Sequence, residues 1–194
     1  MIRALHLLTL SLLLMTLSSF AQPRAEQDVT VLNKILEKQS QVAGTFEQAK
    51  HLAILPMPIR SSGEFSFTEL SGLNWTVLKP VHSQMVLDDQ GIRQIQEGKV
   101  VWALDASQPA ASHISTIIAS VLAADWQTLN KHFDLSHTLT GTRWDINLQP
   151  TSQVLLTAVK RITLTGEQVL EKMTLFEANG DSTVIQFDIR NSQP

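Results

Sequence analysis

The sequence GEFSFTELSGLNWTV, from Gly63 to Val77, lies at the centre of the stretch that decides the fold, residues 44–80. Large apolar residues alternate with small or polar residues along it, which is typical of strands with one apolar side and one side in water. The apolar members of this alternation are Phe65, Phe67, Leu73, Trp75 and Val77. Residues 69–72, Glu-Leu-Ser-Gly, are typical of a turn. The stretch therefore predicts two antiparallel strands with one apolar face.

Short strands separated by turn residues are predicted along most of the remaining chain. The later runs with strand character are residues 84–87, 92–96, 99–104, 134–140, 143–148, 161–164, 169–176 and 183–189. Asn179-Gly180 between the last two runs is a strong hairpin signal. With an extended segment beginning at Phe46, these runs predict about nine to eleven strands in a curved antiparallel sheet.

Two helical regions are predicted. Residues 28–43 form the first, capped by Asp28 and ended by Gly44. Residues 109–133 form a helix pair that bends near residues 123–125. Its apolar face carries Ile114, Ile117, Ile118, Val121 and Leu122 at helical spacing. The opposite face, called here the small-residue face, consists of Ser115, Thr116, Ala119, Ser120 and Ala123. A face of small, uncharged residues suits a helix that lies close to something on its second side.

The first 21 residues read as a secretory signal peptide. A basic start at Arg3 is followed by an apolar run over residues 4–17 and by small residues up to Ala21. The alternative is an uncleaved membrane anchor, but polar residues interrupt the run and it is shorter than a span of ~20 residues. We therefore expect residues 1–21 to be cleaved and residues 22–194 to form one domain in the periplasm.

Composition narrows the function further. The chain has no cysteine, which excludes disulfides, thiolate chemistry and a lipid anchor on a cysteine. Its formal net charge is −3 and it has no basic run. The charge pattern therefore favours neither nucleic acid nor an anionic membrane surface as a partner.

No sequence motif of catalysis or metal binding is present. None of the six histidines forms an H-x-x-x-H or H-x-H pair, and the glycine-rich phosphate-binding motifs and the G-x-S-x-G nucleophile motif are absent. The carboxylates Glu64, Glu69, Asp88 and Asp89 could act as an acid–base pair only if the fold brought two of them together. The sequence predicts a protein that is not an enzyme and needs no cofactor or metal.

The apolar faces allow two interpretations. Phe65, Phe67, Trp75, Val77, Trp102 and Leu104 could pack beneath the helix at residues 111–122 as a filled core. The same residue types on the same faces could line a hollow ligand pocket, and the pattern alone does not distinguish the two.

A resemblance extends along essentially the whole mature chain. Its segments, in order, are Gly44-Thr45-Phe46-Glu47-Gln48, Gly63-Glu64-Phe65-Ser66-Phe67, Leu73-Asn74-Trp75 with Lys79-Pro80, Asp125-Trp126, and the hairpin from Glu177 to Thr183. Together they resemble the LolA-like family, the periplasmic carriers of outer-membrane lipoproteins. The resemblance implies an α+β fold, in which a strongly curved antiparallel sheet forms an incomplete barrel with a helical lid over an apolar cavity.

The same resemblance implies a monomeric carrier that takes acyl chains of lipoproteins or another lipid from an inner-membrane donor transporter to an outer-membrane acceptor. The residues expected to contact the cargo, in the cavity or on the lid, are Phe65, Phe67, Trp75, Val77, Trp102, Ile114, Ile117, Ile118 and Val121. In the founding carriers a basic residue ties the lid shut, whereas the matching positions here are Thr68-Glu69-Leu70. A non-carrier interaction or sensor module with the same fold is the alternative.

Overall fold

The structure, a computed structural model, describes residues 24–190 of the chain. The predicted signal peptide, residues 1–21, lies outside these residues. The described residues contain eleven strands: β1 (Gln41–His51), β2 (Ile59–Thr68), β3 (Gly72–Lys79), β4 (Ser83–Asp88), β5 (Gly91–Gln96), β6 (Lys99–Asp105), β7 (Phe133–Thr140), β8 (Arg143–Pro150), β9 (Val159–Gly166), β10 (Leu170–Glu177) and β11 (Ser182–Arg190).

All eleven strands belong to one antiparallel sheet. Its order is β6-β5-β4-β3-β2-β1-β11-β10-β9-β8-β7, so each strand pairs with its neighbour in sequence except where β1 meets β11. Within residues 24–190, β6 and β7 form the two edges and do not pair with each other. The expected α+β fold with an open, curved sheet, an incomplete barrel, is therefore confirmed.

Two glycines in the central strands allow the chain to pack closely there. A Cβ atom added at Gly44 would overlap the carbonyl oxygen of Asp188 on β11. One added at Gly63 would overlap the carbonyl oxygen of Thr76 on β3. Glycine inside a strand marks such close backbone approaches, and designed sheets use it to introduce curvature.

Four helices accompany the sheet in the part of the chain that the structure describes: α1 (Arg24–Ile35), α2 (Pro109–Leu122), α3 (Trp126–Leu129) and α4 (Gln153–Leu156). The predicted helix pair after β6 is confirmed, and the chain turns between α2 and α3 at residues 123–125. No helix within residues 24–190 is long and apolar enough to cross a membrane.

The predicted helix over residues 28–43 is wrong in its position. Helix α1 ends at Ile35, Asp28 lies inside it rather than at its N-cap, and residues 41–51 are a strand. Gly44 lies within that strand and does not end a helix. The reason is tertiary: the segment after Ile35 hydrogen-bonds to the α2–α3 corner, where the Gln39 amide donates to the carbonyl of Ala123 over 2.7 Å.

Two apolar clusters pack between the helices and the sheet. The first cluster lies beneath α1 and α3 against β7–β10, and its largest fully buried side chains are Trp126, Trp144 and Phe133. The second cluster lies against β1–β5 and includes Phe46, Phe65, Phe67, Leu73, Trp75, Leu87 and Ile92. Helix α2 contributes Val121 to the first cluster and Leu122 to the second, so it separates the two halves of the core.

Candidate functional site

Four aromatic side chains form a continuous stack at the centre of the sheet. They come from adjacent strands and are called here the aromatic cluster: Phe46, Phe65, Trp75 and Phe187. The rings of Phe46 and Trp75 stack with centroids 3.8 Å apart, and the Phe65 ring lies 5.7 Å from that of Trp75. Phe187 meets Phe65 edge to face at 5.5 Å. The centre of the concave face is thus filled by its own side chains.

A cavity of about 460 Å³ opens beside this filled region, between α2 and the ends of β2–β4. Its apolar floor is formed by Phe67, Leu73 and Leu87. Its wall on the helix side is the complete small-residue face, residues Ser115, Thr116, Ala119, Ser120 and Ala123. A volume of this size is within the range of small-molecule sites, about 300–1,000 Å³.

The small side chains of α2 explain why the space is open. Leucine or isoleucine at these positions would occupy the gap between the helix and the floor. The hydroxyl Oγ of Ser115 is buried and forms no hydrogen bond within the described part of the chain.

One lysine holds together the two sides of the cavity's charged rim. The Lys38 Nζ atom lies 2.9 Å from Glu69 Oε1 on the β2–β3 turn and 3.0 Å from Asp125 Oδ2 at the α2–α3 corner. Backbone bonds follow the same path, since the Glu69 amide donates to the carbonyl of Ser40 over 3.0 Å. The segment containing Lys38 therefore ties the helical corner to the edge of the sheet.

The protonation states at the rim favour this tie. Hydrogen bonds to Glu69 and then to Asp125 raise the pKa of Lys38 above its ordinary value. Burial by itself would raise the pKa of Asp125, but the amide of Thr128 and the Lys38 ammonium outweigh burial and lower it. Asp125 also accepts the Thr128 amide at 2.9 Å as the N-cap of α3. Both groups are consequently ionised at neutral pH.

Three of the four candidate acid–base carboxylates, Glu69, Asp88 and Asp89, line the cavity. Two of these three carboxylates pair with basic side chains. Glu69 pairs with Lys38, and Asp88 accepts hydrogen bonds from both terminal nitrogens of Arg93. The hydrogen bond from Arg93 is the main cause that lowers the pKa of Asp88, which does not suit a general acid.

The fourth candidate carboxylate lies apart from this cavity, and the structure offers no metal site within residues 24–190. Glu64 lines a smaller cavity of about 220 Å³ together with Asn74, Thr76 and Arg190. Within residues 24–190, no group of three or more histidine, aspartate or glutamate side chains could hold a metal ion.

The structure separates the nine residues predicted to contact cargo. Phe65, Phe67 and Trp75 are buried in the second cluster, and Val77 and Ile118 pack against it. Val121 belongs to the first cluster, and Ile117 packs against it. Only Phe67 of the nine lines the cavity. Whether any of them binds cargo stays a prediction.

Trp102 and Ile114, two of the nine residues predicted to contact cargo, lie outside both core clusters. Trp102 is 48 % exposed and Ile114 is 43 % exposed, and neither belongs to a core cluster. Trp102 lies on β6, which is an edge strand of the sheet formed by residues 24–190. A bulge between Gln94 and Ile95 on β5 also shifts its register, so alternation along β6 does not produce a buried face.

Sequence reasoning missed several residues that form the site. Leu73 and Leu87 of the floor belong to the predicted strands but are not among the residues predicted to contact cargo. Phe46 and Phe187 face each other across the β1–β11 pair, which joins the two ends of the chain. The alternation Ile185, Phe187, Ile189 was a usable signal for the second of them. Lys38 had no signal, because its partners are distant in sequence.

One protein-family model matches the sequence of this chain. The family model described as outer membrane lipoprotein carrier protein LolA matches residues 37–194. None of the curated proteins matches the sequence.

Solved structures of similar fold include three with low identity to this chain. A LolA superfamily protein from Nitrosomonas europaea is 8 % identical, with a TM-score of 0.47, over 88 % of this chain and 94 % of that one. A putative outer membrane lipoprotein-sorting protein domain from Vibrio parahaemolyticus is 10 % identical, with a TM-score of 0.45, over 88 % and 95 %. A chain of the Pseudomonas aeruginosa MucA/MucB complex is 15 % identical, with a TM-score of 0.48, over 88 % and 58 %.

The family match covers most of the chain, including every strand of the sheet, the cavity and its ionic rim. The protein belongs to the LolA family.

Proposed function

We propose that this protein is a periplasmic carrier that shields the acyl chains of a lipoprotein or another lipid between the inner and outer membranes. Members of the LolA family bind lipids or lipoproteins and are carrier or binding proteins. The observation that supports this role best is the cavity itself, where a wall of small side chains faces the apolar floor of Phe67, Leu73 and Leu87.

The energetics suit reversible binding. Burial contributes about 0.8 kcal/mol per methylene, so a 16-carbon chain gains at most about 13 kcal/mol. Ordering the chain and moving protein elements reduce this gain substantially. The cavity of about 460 Å³ accepts part of a long chain, and the aromatic cluster blocks the space beyond it. Deeper binding in this proposal requires α2 to move away from the second cluster.

The ionic tie through Lys38 is the element that resists such a movement. It joins the α2–α3 corner to the β2–β3 turn at the cavity rim. Breaking it exposes charged groups to water, where they are stable, so opening costs little. In the proposed cycle α2 and α3 act as the lid, with Lys38, Glu69 and Asp125 as its latch.

The proposed route follows from the family and from the N-terminal sequence. The apolar run over residues 4–17 directs export, cleavage after Ala21 releases the domain, and donor and acceptor proteins in the two membranes exchange the cargo. LolA-family proteins are periplasmic, which agrees with this route.

Native mass spectrometry of the protein isolated from its own periplasm tests the proposal. A mass increment equal to a lipid or an acylated protein, lost on delipidation and regained with fatty acid, supports a carrier. A stable complex with a protein that carries no acyl group, and a cavity that takes up no fatty acid, would instead establish the alternative interaction module.

A further inference from the structure

Acidic side chains from distant parts of the chain meet at the end of the sheet where the cavity opens. Leu73 on β3 pairs with Leu87 on β4, so the β2–β3 and β4–β5 turns lie at the same end. Asp105 on β6 pairs with Gly91 of β5 at this end as well. The charged side chains that line the cavity, or pair with one that does, are four carboxylates and two cations: Glu69, Asp88, Asp89, Asp125, Lys38 and Arg93. Their formal charge at neutral pH is therefore −2.

The cations of this region do not balance its negative charge. Both cations of the set are already engaged, Lys38 by two carboxylates and Arg93 by one. Asp89 is exposed and forms no ion pair among the residues that the structure describes. Lys34 and Lys131, two exposed cations close in sequence to the rim, form no ion pair with any of these carboxylates. A cationic ligand group therefore finds a carboxylate that no protein group occupies.

The helical wall of the cavity adds a hydroxyl group. Ser120 on α2 is 5 % exposed and lines the cavity, and its hydroxyl forms no hydrogen bond within residues 24–190. Buried polar side chains in proteins usually have at least one hydrogen-bond partner. Because a hydroxyl both donates and accepts, it suits a polar ligand group of either charge. The carboxylates around it then decide which charge is favoured.

The floor of the cavity determines which end of an acyl ligand meets these polar groups. Phe67, Leu73 and Leu87 form an apolar floor, and beyond it the stacked rings of Phe46 and Trp75 fill the concave face. An acyl chain gains free energy on the floor, whereas a charged end buried there would lose its hydration. The polar end of the ligand consequently stays at the mouth, among the carboxylates.

We propose that the cavity selects acyl cargo whose polar end carries an ammonium group over cargo that ends in a carboxylate or a phosphate. This inference rests on the proposed function as an acyl carrier and names the class of its cargo. An ammonium end adds a cation to a region of formal charge −2, and Asp89 is the carboxylate open to it. A carboxylate or phosphate end meets the same charges with repulsion.

Three ligands with the same chain separate the effect of the polar end from that of the chain: dodecylammonium, dodecanol and dodecanoate. Calorimetric titration at neutral pH, below the micelle concentration of each ligand, measures the three Kd values. One exposed ion pair contributes up to about fivefold in Kd. Attraction of the ammonium and repulsion of the carboxylate should therefore separate these two ligands by about 25-fold at low salt, with dodecanol between them. At about 1 M salt the separation should largely disappear, because exposed charges are screened within about 3 Å.

Removal of the open carboxylate tests its role. Asp89→Asn should reduce the preference for dodecylammonium over dodecanoate about fivefold and leave the affinity for dodecanol unchanged. Asp134→Asn is the matched control, because Asp134 is an exposed carboxylate on β7, the opposite edge strand of the described sheet. This control variant should keep the wild-type preference.

The outcomes distinguish failure of this inference from failure of the carrier function. Dodecanoate that binds as tightly as dodecylammonium, or a wild-type preference in Asp89→Asn, overturns the inference and leaves the carrier function in place. Ala119→Leu adds bulk to the cavity wall and should weaken all three ligands by the same factor. Affinities that Ala119→Leu does not change, or no binding of any of the three ligands, contradict the carrier function and the inference together.

Discussion

Filling the cavity from its helical wall should weaken acyl binding without unfolding the protein. Ala119 belongs to the small-residue face, and leucine adds three carbon atoms at that position. If these atoms displace three methylenes of the cargo, the loss is about 2.4 kcal/mol, or roughly 60-fold in Kd. Leucine is nearly as favourable as alanine in a helix, and its side chain occupies existing space. The free energy of unfolding should therefore change by less than about 1 kcal/mol.

Displacement of a fluorescent fatty acid measures the affinity, and urea unfolding measures the stability of the same samples. Ala158→Leu, at an exposed position outside the cavity, is the matched control and should bind as wild type does. Ile118→Glu is a poorer test, because Ile118 packs against the second cluster and a charge there also destabilises the fold. Wild-type affinity in a stably folded Ala119→Leu variant would show that the acyl chain does not use this cavity.

Three further substitutions probe the rim and the aromatic cluster. Lys38→Met should lower the free energy of unfolding by about 1 kcal/mol at low salt, less at high salt, and speed acyl release, whereas Lys131→Met should do neither. Asp125→Asn removes a carboxylate with a lowered pKa. The stability advantage of wild type over this variant should be complete above about pH 5 and shrink as the pH falls below about 4. Trp75→Ala should cost about 3–5 kcal/mol in urea unfolding, and the exposed Trp102→Ala less than about 1 kcal/mol.

Each of these three predictions has a clear contrary result. Salt-independent destabilisation in Lys38→Met would mean that the lysine acts through packing of its methylenes. A constant difference between wild type and Asp125→Asn down to pH 2 would mean that the charge of Asp125 does not stabilise the fold. Equal costs for the two tryptophan variants would contradict the burial difference between them.

Local pattern predicted most strands because alternation and turn chemistry act within a few residues. The hairpin over Glu177–Thr183 and the strand pair over residues 63–77 are of this kind, and both are confirmed. The pairing of β1 with β11 joins residues near the two ends of the chain, and no local feature encodes it. Residues 41–43 are strand although the pattern favoured helix, because they pair with residues 66–68 of β2.

The alternation of apolar and polar residues along a strand also does not predict whether other parts of the protein cover its apolar face. Trp75 and Trp102 both stand in strands with apolar neighbours, yet one is 9 % exposed and the other 48 %. The difference is their place in the sheet, since β3 lies between two strands and opposite α2, while β6 is an edge. The small-residue face was different: its composition predicts a close neighbour on the second side, whereas in the structure that side borders the open cavity.

The rim explains how the corner of the helices is held without a basic residue at positions 68–70. At these positions the β2–β3 turn carries a carboxylate, Glu69. The basic residue that pairs with it is Lys38, and Lys38 also pairs with a second carboxylate, Asp125. One cation between two carboxylates makes the tie asymmetric. Loss of Glu69 leaves the Lys38–Asp125 pair, whereas loss of Lys38 leaves two carboxylates facing each other. Lys38→Met should therefore destabilise the closed rim more than Glu69→Gln does, and a reversed order would show that Glu69 stabilises the rim through a contact other than Lys38.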